Sequence, residues 1–174
     1  MNYAEIKTAD VANGPGIRTS LFVSGCTHHC KGCFNECTWD FGYGDPFTKD
    51  TEDEVIESLK PDFVKGLTIL GGEPMEYVNQ KVLLPFIKRV KEEVPNASIW
   101  LYSGYTFEEL SDESNKRCHC DETMELLSCL DVLVDGEFKL ELKNISLKYR
   151  GSENQRLINI RETLETGKVT LLDM

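Results

Sequence analysis

The sequence lacks any apolar run near the roughly 18–20 residues that a membrane-spanning helix needs, so a membrane partner is not expected. Positive charge is also scarce: 19 lysines and arginines stand against 30 aspartates and glutamates, giving a net charge of −11. Such an acidic chain is a poor general ligand for nucleic acid or an anionic membrane. Prolines number only 6 and glycines 13 among 174 residues, which argues against low-complexity disorder. We therefore expect one globular domain over residues 1–174.

Cysteine, in contrast, is abundant, with seven residues in two groups: Cys26, Cys30, Cys33 and Cys37 in one, Cys118, Cys120 and Cys129 in the other. The first residues show no secretory pattern of a basic stretch followed by an apolar core, so a cytoplasmic location is expected. Thiols in a reducing compartment are more often metal ligands or catalytic groups than disulfide partners.

Strand-like and helix-like segments alternate along the chain. Strands are predicted at 17–23, 67–70, 99–102, 130–134 and 169–172, and helices from Thr51, over 80–93, from Thr106 and around 126–127. This order predicts an α/β fold with a mainly parallel sheet. A complete eight-fold barrel takes about 250 residues, so an incomplete, TIM-like β/α barrel or an open curved sheet is expected. The polar segment 112–122, which holds Cys118-His119-Cys120, is predicted to be a surface loop.

The first cysteine group has the spacing Cys-x3-Cys-x2-Cys at Cys26, Cys30 and Cys33, and four interpretations compete. The thiols could be unliganded. They could bind zinc with His28 or His29 as a nitrogen ligand. With Cys37 as a fourth ligand they approach the ferredoxin pattern, although the first spacing is one residue too long. Lastly, three thiolates could hold a 4Fe–4S cluster that leaves one iron open to a substrate or cofactor.

A second motif, Gly71-Gly72-Glu73-Pro74, directly follows the strand predicted at 67–70. Carboxyl ends of parallel strands are the usual place for ligands. Glycines there permit close approach of the backbone, and Glu73 offers an acceptor for an ammonium group. Asp135, at the end of another strand, could accept a hydrogen bond from a ribose or simply form a turn with Gly136.

Together these motifs resemble the radical S-adenosylmethionine enzymes, whose signature is Cys-x3-Cys-x2-Cys followed by Gly-Gly-Glu-Pro. The opening Asn13-Gly14-Pro15-Gly16-Ile17-Arg18 is similar to that of activases for glycyl radical enzymes, with Asn in place of Asp at position 13. Within that group, the segments 100–105, 131–138 and 150–156 are similar to the activases that serve anaerobic ribonucleotide reductases. The resemblance covers nearly the whole chain, although the loop 112–122 matches none of it.

The resemblance implies a mechanism and a set of roles. One 4Fe–4S cluster would be held by Cys26, Cys30 and Cys33, and S-adenosylmethionine would be its co-reactant, with no further catalytic residue. Residues expected at the S-adenosylmethionine site are Gly32, Cys33, Phe34, Gly72, Glu73 and Asp135. Phe34 or the backbone of Gly32 would contact adenine, since many relatives carry an aromatic residue at position 32.

The implied partners are the large, glycyl radical subunit of an anaerobic ribonucleotide reductase and reduced flavodoxin or a similar electron donor. Cys37 is expected to be a nearby free thiol, and His28 and His29 to face solvent or to act on the cluster from a distance. Two alternatives remain open at this point: a radical enzyme acting on a small molecule, similar to the deazapurine synthases, and a ferredoxin-like electron carrier.

Overall fold

A computed structural model describes residues 1–174. Seven strands and five helices make up the fold: β1 (Asn2–Asp10), β2 (Ile17–Val23), β3 (Asp45–Pro46), α1 (Lys49–Leu59), β4 (Val64–Gly71), α2 (Tyr77–Glu93), β5 (Ser98–Tyr102), α3 (Phe107–Ser111), α4 (Thr123–Ser128), β6 (Val132–Asp135), β7 (Arg156–Asn159) and α5 (Ile160–Thr166). None of the helices has the length and apolar character needed to cross a bilayer.

All seven strands form one sheet in the order β3-β1-β2-β4-β5-β6-β7. The central strands β2, β4, β5 and β6 run parallel, as predicted. Both edges are antiparallel, because β1 pairs with β2 and β3, and β7 with β6. The sheet is therefore mixed, and the predicted TIM-like partial barrel is not confirmed. Six residues join β1 to β2 without a helix, and a connection that short allows only antiparallel pairing.

Helices cover one face of the sheet and bury the main apolar core, to which Leu21, Ile69, Leu101 and Leu133 contribute from four neighbouring strands. On the opposite face, Trp100 packs with Val134 and Leu157 in a second, smaller cluster. The ring of Tyr149 meets that of Trp100 edge to face at 5.6 Å. Strand β5 thus contributes side chains to both clusters, as the alternation along a strand requires.

Most of the predicted helices and strands lie close to their predicted positions in the sequence, and three predictions differ from the structure in detail. The helix predicted to begin at Thr51 is instead capped by Thr48, with Thr51 as the return partner of a capping box. The strand predicted at 169–172 is reduced to one bridge between Leu171 and Ile158. The predicted loop 112–122 is largely exposed, but it delivers the Cys118 side chain into the main core.

Candidate functional site

The cysteine loop, residues 24–40, begins where β2 ends and folds back on its own start. The N–H of Gly25 donates to the carbonyl of Thr38 at 2.8 Å, and that of Cys26 donates to the carbonyl of Trp39 at 3.2 Å. Gly25 has a φ of +98°, a conformation that disfavours residues with a Cβ. The three cysteines are therefore carried on a loop whose two ends are tied together.

The Gly71-Gly72-Glu73-Pro74 motif continues from β4 and is joined to the start of the cysteine loop. The N–H of Gly72 donates to the carbonyl of Val23 at 2.7 Å, and that of Glu73 to the carbonyl of Gly25 at 2.8 Å. A Cβ at position 72 would lie 2.6 Å from the Gly25 oxygen and 2.9 Å from the Thr38 oxygen. Glycine is needed at position 72 because another stretch of backbone lies against it.

A cavity of about 500 Å³ opens where β2, β4 and β5 end, within the size range of sites for small ligands. It brings together six of the predicted site residues: Cys26, Cys30, Cys33, Phe34, Gly72 and Glu73. The side chain of Phe34 is 83% exposed, and its ring meets that of Phe138 edge to face at 6.4 Å. Residues far apart in the sequence thus form one site.

Two other predicted site residues lie outside the cavity lining. Gly32 packs beside Leu140, whose nearest methyl carbon would be 3.1 Å from an added Cβ. Asp135 is fully buried, and its two carboxylate oxygens accept from Arg156 at 2.9 and 2.5 Å and from the N–H of Phe107 at 2.7 Å. The Asp135 carboxylate is therefore committed to holding β7 and α3 against β6.

The opposite wall of the cavity comes from residues 147–155. Tyr102, at the end of β5, donates its hydroxyl hydrogen to the carbonyl of Tyr149 at 2.8 Å. Arg150 lines the cavity and donates to the carbonyl of Gln155 at 2.6 Å. These bonds fix the wall that faces the cysteine loop.

Glu73 lines the cavity, but its carboxylate is already fully engaged. One oxygen accepts from the N–H of Met75 at 2.8 Å and the hydroxyl of Ser103 at 2.9 Å. The other accepts from the N–H of Gly104 at 2.7 Å and contacts Nε2 of His28 at 2.9 Å. A carboxylate has about four acceptor positions, so an ammonium group would have to displace one of these donors.

His28 lies at the site, although the sequence left open whether it faces solvent or acts on the cluster from a distance. Its side chain is only 3% exposed, so the prediction that it faces solvent is wrong. Nε2 contacts Glu73, and Nδ1 lies 2.6 Å from a carboxylate oxygen of Glu137. Burial favours the neutral imidazole, but the hydrogen bonds and negative charges of the two glutamates outweigh it and raise the pKa of His28. No local pattern signals this contact, because the partners lie 45 and 109 residues away.

His29, in contrast, is exposed as predicted. Its ring stacks on that of Trp39, with a centroid separation of 4.4 Å. Two adjacent histidines between the same two cysteines therefore have different environments.

Burial disfavours the thiolate form at two of the site's cysteines, Cys26 and Cys30. Burial raises the pKa of the Cys26 thiol to about 12. Burial, reinforced by the negative charge of Glu137, also raises the pKa of Cys30. Metal coordination deprotonates such thiols outright.

The donor set fits a polynuclear cluster better than one zinc ion. No three His, Cys, Asp or Glu side chains are grouped around a point where a single ion could bind, and both nitrogens of His28 are already used. Cys37, the fourth thiol of the ferredoxin interpretation, is exposed and does not line the cavity. The three thiols that one loop contributes to the cavity, those of Cys26, Cys30 and Cys33, fit a 4Fe–4S cluster.

Comparison with known proteins agrees with this donor set. Residues 12–158 match the family model for a 4Fe-4S single cluster domain. The chain is 45% identical over 157 residues to the anaerobic ribonucleoside-triphosphate reductase-activating protein of Vibrio cholerae, covering 89% of this chain and 96% of that one. The protein of the same name from Pasteurella multocida is 43% identical over 157 residues, 89% of this chain and 95% of its own. That from Escherichia coli K12 is 39% identical over 163 residues, 92% of this chain and all of its own. The chain therefore belongs to the family of anaerobic ribonucleoside-triphosphate reductase-activating proteins, and most of it matches a 4Fe-4S single cluster domain.

Proposed function

We propose that this chain is an activase that cleaves S-adenosylmethionine reductively and generates a glycyl radical on an anaerobic ribonucleotide reductase. One observation carries the proposal. Cys26, Cys30 and Cys33 line the same cavity as the Gly72-Glu73 motif, at the carboxyl ends of parallel strands. This arrangement supports a cluster with an open iron beside a place for its co-reactant.

In this proposal the three cysteines hold one 4Fe–4S cluster per chain. When bound, the cluster would supply one electron to the sulfonium of S-adenosylmethionine, releasing the 5′-deoxyadenosyl radical that takes a Cα hydrogen from a glycine of the reductase. The protein's part is to bind, to orient and to exclude competing reactants. The N–H groups of Gly72 and Glu73, which donate to the carbonyls of Val23 and Gly25, serve that purpose, since they set the cysteine loop against the end of β4.

S-adenosylmethionine is proposed to lie between the cysteine loop and the end of β4. Gly72 and Glu73 line that space together with Cys33, and the exposed Phe34 is the aromatic side chain of the cysteine loop proposed to contact adenine. Gly32 supports the position of the loop from outside the cavity. A ribose contact by Asp135 is not part of the proposal, because its carboxylate is bound to Arg156 and Phe107.

The partners in this proposal are the large subunit of the reductase and reduced flavodoxin or a similar donor. A macromolecular substrate needs a cavity with an accessible rim, and the 83% exposed Phe34 marks such a rim. The single sheet supports treating residues 1–174 as one domain. All seven cysteines are unpaired, which suits a reducing cytoplasm.

Anaerobic reconstitution with iron and sulfide, followed by an assay for 5′-deoxyadenosine under reducing conditions, tests the proposal. We expect Cys30→Ala to lose the cluster and the cleavage, while Cys37→Ala keeps both. Loss of the cluster in Cys37→Ala would instead favour a four-cysteine electron carrier. Adding the reductase large subunit should yield a glycyl radical signal, and its absence despite rapid cleavage would favour a small-molecule substrate.

A further inference from the structure

The His28 side chain connects three separate parts of the site. It lies on the cysteine loop between Cys26 and Cys30, and its ring nitrogens contact Glu73 after β4 and Glu137 after β6. Its ring also packs on that of Tyr105, with centroids 4.3 Å apart. One imidazole therefore ties the loop to the ends of two strands that are not adjacent in the sheet.

Thr27, the residue before His28, is also bound by a glutamate that follows β4. Glu76 accepts from the N–H of Thr27 at 2.8 Å and from its hydroxyl at 2.6 Å. Thr27 and His28 occupy the first two positions between Cys26 and Cys30, and both are bound by glutamates that follow β4. The third position, His29, points outward and stacks on Trp39.

The contact with Nε2 of His28 also orients the carboxylate of Glu73. Its other three donors come from Met75, Ser103 and Gly104, so His28 alone links this carboxylate to the cysteine loop. Removing the imidazole would leave a carboxylate that is 1% exposed with an empty acceptor position, which is unfavourable in a buried site.

We propose that His28 is a positioning residue of the cluster site: by bonding Glu73 and Glu137 at once, it fixes the span from Cys26 to Cys30 in the shape that retains the cluster. The proposal rests on the proposed function, because it assumes that these cysteines bind the cluster. It adds a role for a residue that is not one of the three cysteine ligands.

The first test uses the apoprotein and needs no cluster. Urea unfolding of His28→Ala, Glu137→Gln and the double variant forms a double-mutant cycle. We expect Glu137→Gln to raise the unfolding constant severalfold in the wild-type background and to have little effect in the His28→Ala background. Equal effects in both backgrounds would show that the contact does not exist in solution.

The second test follows the cluster. After anaerobic reconstitution, we expect His28→Ala to lose iron to a chelator at least tenfold faster than wild type, and its reduced cluster to give a broadened electron paramagnetic resonance spectrum. His29→Ala is the matched control and should behave as wild type. His28→Gln, which restores one donor toward Glu73, should recover part of the retention.

The proposal would be overturned if His28→Ala and His29→Ala lost iron to the chelator at the same rate and gave the same spectra. This would hold even if the double-mutant cycle of the apoprotein showed coupling, because the contact would then stabilise the fold without affecting the cluster. A wild-type protein that binds no iron–sulfur cluster would instead overturn the proposed function, and this role of His28 with it.

Discussion

The Arg18 side chain is fully buried, although it carries a charge, and its environment explains how the fold tolerates it. It donates to the hydroxyls of Thr68 and Ser98 at 2.7 and 2.9 Å and to two backbone carbonyls of β4 and β5. Its guanidinium also lies 5.4 Å from the ring centroid of Trp100. Burial lowers the pKa of Arg18 to about 10, so the group stays protonated at neutral pH.

Arg18→Lys should therefore destabilise the protein, because an ammonium group cannot reproduce the planar fork of donors. We expect the free energy of unfolding to fall by about 2–4 kcal/mol, measured by urea unfolding of the apoprotein. Arg161→Lys, at an exposed position, is the control and should change it by less than about 0.5 kcal/mol. An Arg18→Lys protein as stable as wild type would contradict the role assigned to these bonds.

Asp10 gives a pH dependence with a defined sign. Burial alone would raise the pKa of Asp10, but hydrogen bonds from Ser20, Ala12 and Asn13 outweigh it and lower the pKa. A lowered folded-state pKa contributes stability above the unfolded-state value of about 3.9, and that contribution disappears as the pH falls through the folded-state pKa.

We therefore expect wild type to be more stable than Asp10→Asn at neutral pH, with the difference shrinking below about pH 4. Thermal unfolding of the two apoproteins across pH measures this difference. If the difference in stability between the two proteins stayed constant down to the lowest pH, the charge of Asp10 would not be its cause.

At the residue scale, the sequence indicated candidate site residues where those residues lie close together in the chain. Cys26, Cys30 and Cys33 could be singled out because their pattern lies within eight residues, and the structure puts them on one cavity. The contacts of His28 could not be predicted, since they depend on where distant strands end. Asp135 was singled out for its place at a strand end, and its ion pair with Arg156 depends on the unpredicted strand β7.

At the scale of elements, the ends of β2 and β4 meet through backbone alone. The approach of Gly72 to the carbonyls of Gly25 and Thr38 leaves no space for a Cβ. This contact sets the Gly-Gly-Glu-Pro motif against the cysteine loop.

Gly72→Ala should force these two elements apart. We expect a loss of about 1–3 kcal/mol in the free energy of unfolding, the usual cost of overpacking, and a lower iron content after reconstitution. Gly42→Ala is the control, because its added Cβ would meet only the Asp40 side chain, at 3.4 Å. Equal iron content and stability in the two variants would show that the close approach is unimportant.

Elements with strong local signals were predicted best. β2 coincides with the predicted strand at 17–23, and Thr106 caps α3 with Glu109 in a capping box. β1 was not predicted, although its nine residues form the strand between β3 and β2. Its burial pattern is mostly intermediate and exposed, so the sequence carries too little apolar periodicity to indicate a strand.

At the scale of the whole molecule, repeated strand–helix order predicted the parallel centre of the sheet but not its antiparallel edges. The cysteine loop and the Gly-Gly-Glu-Pro motif follow β2 and β4, within the parallel part, whereas the opposite wall of the cavity, residues 147–155, leads into the antiparallel strand β7. The strands that depart from the prediction, β1, β3 and β7, lie outside the parallel part. Family membership and donor geometry then lead to the same cluster by separate routes.

The central claim is that three cysteines bind a 4Fe–4S cluster and leave one iron for S-adenosylmethionine. Mössbauer spectroscopy of protein reconstituted anaerobically with isotopically enriched iron tests this most directly, with spectra recorded before and after S-adenosylmethionine is added. We predict that one iron in four changes its signal on addition and that the other three do not. The account would be contradicted if the signals of all four irons stayed unchanged on addition of S-adenosylmethionine, or if the preparation bound zinc instead of iron.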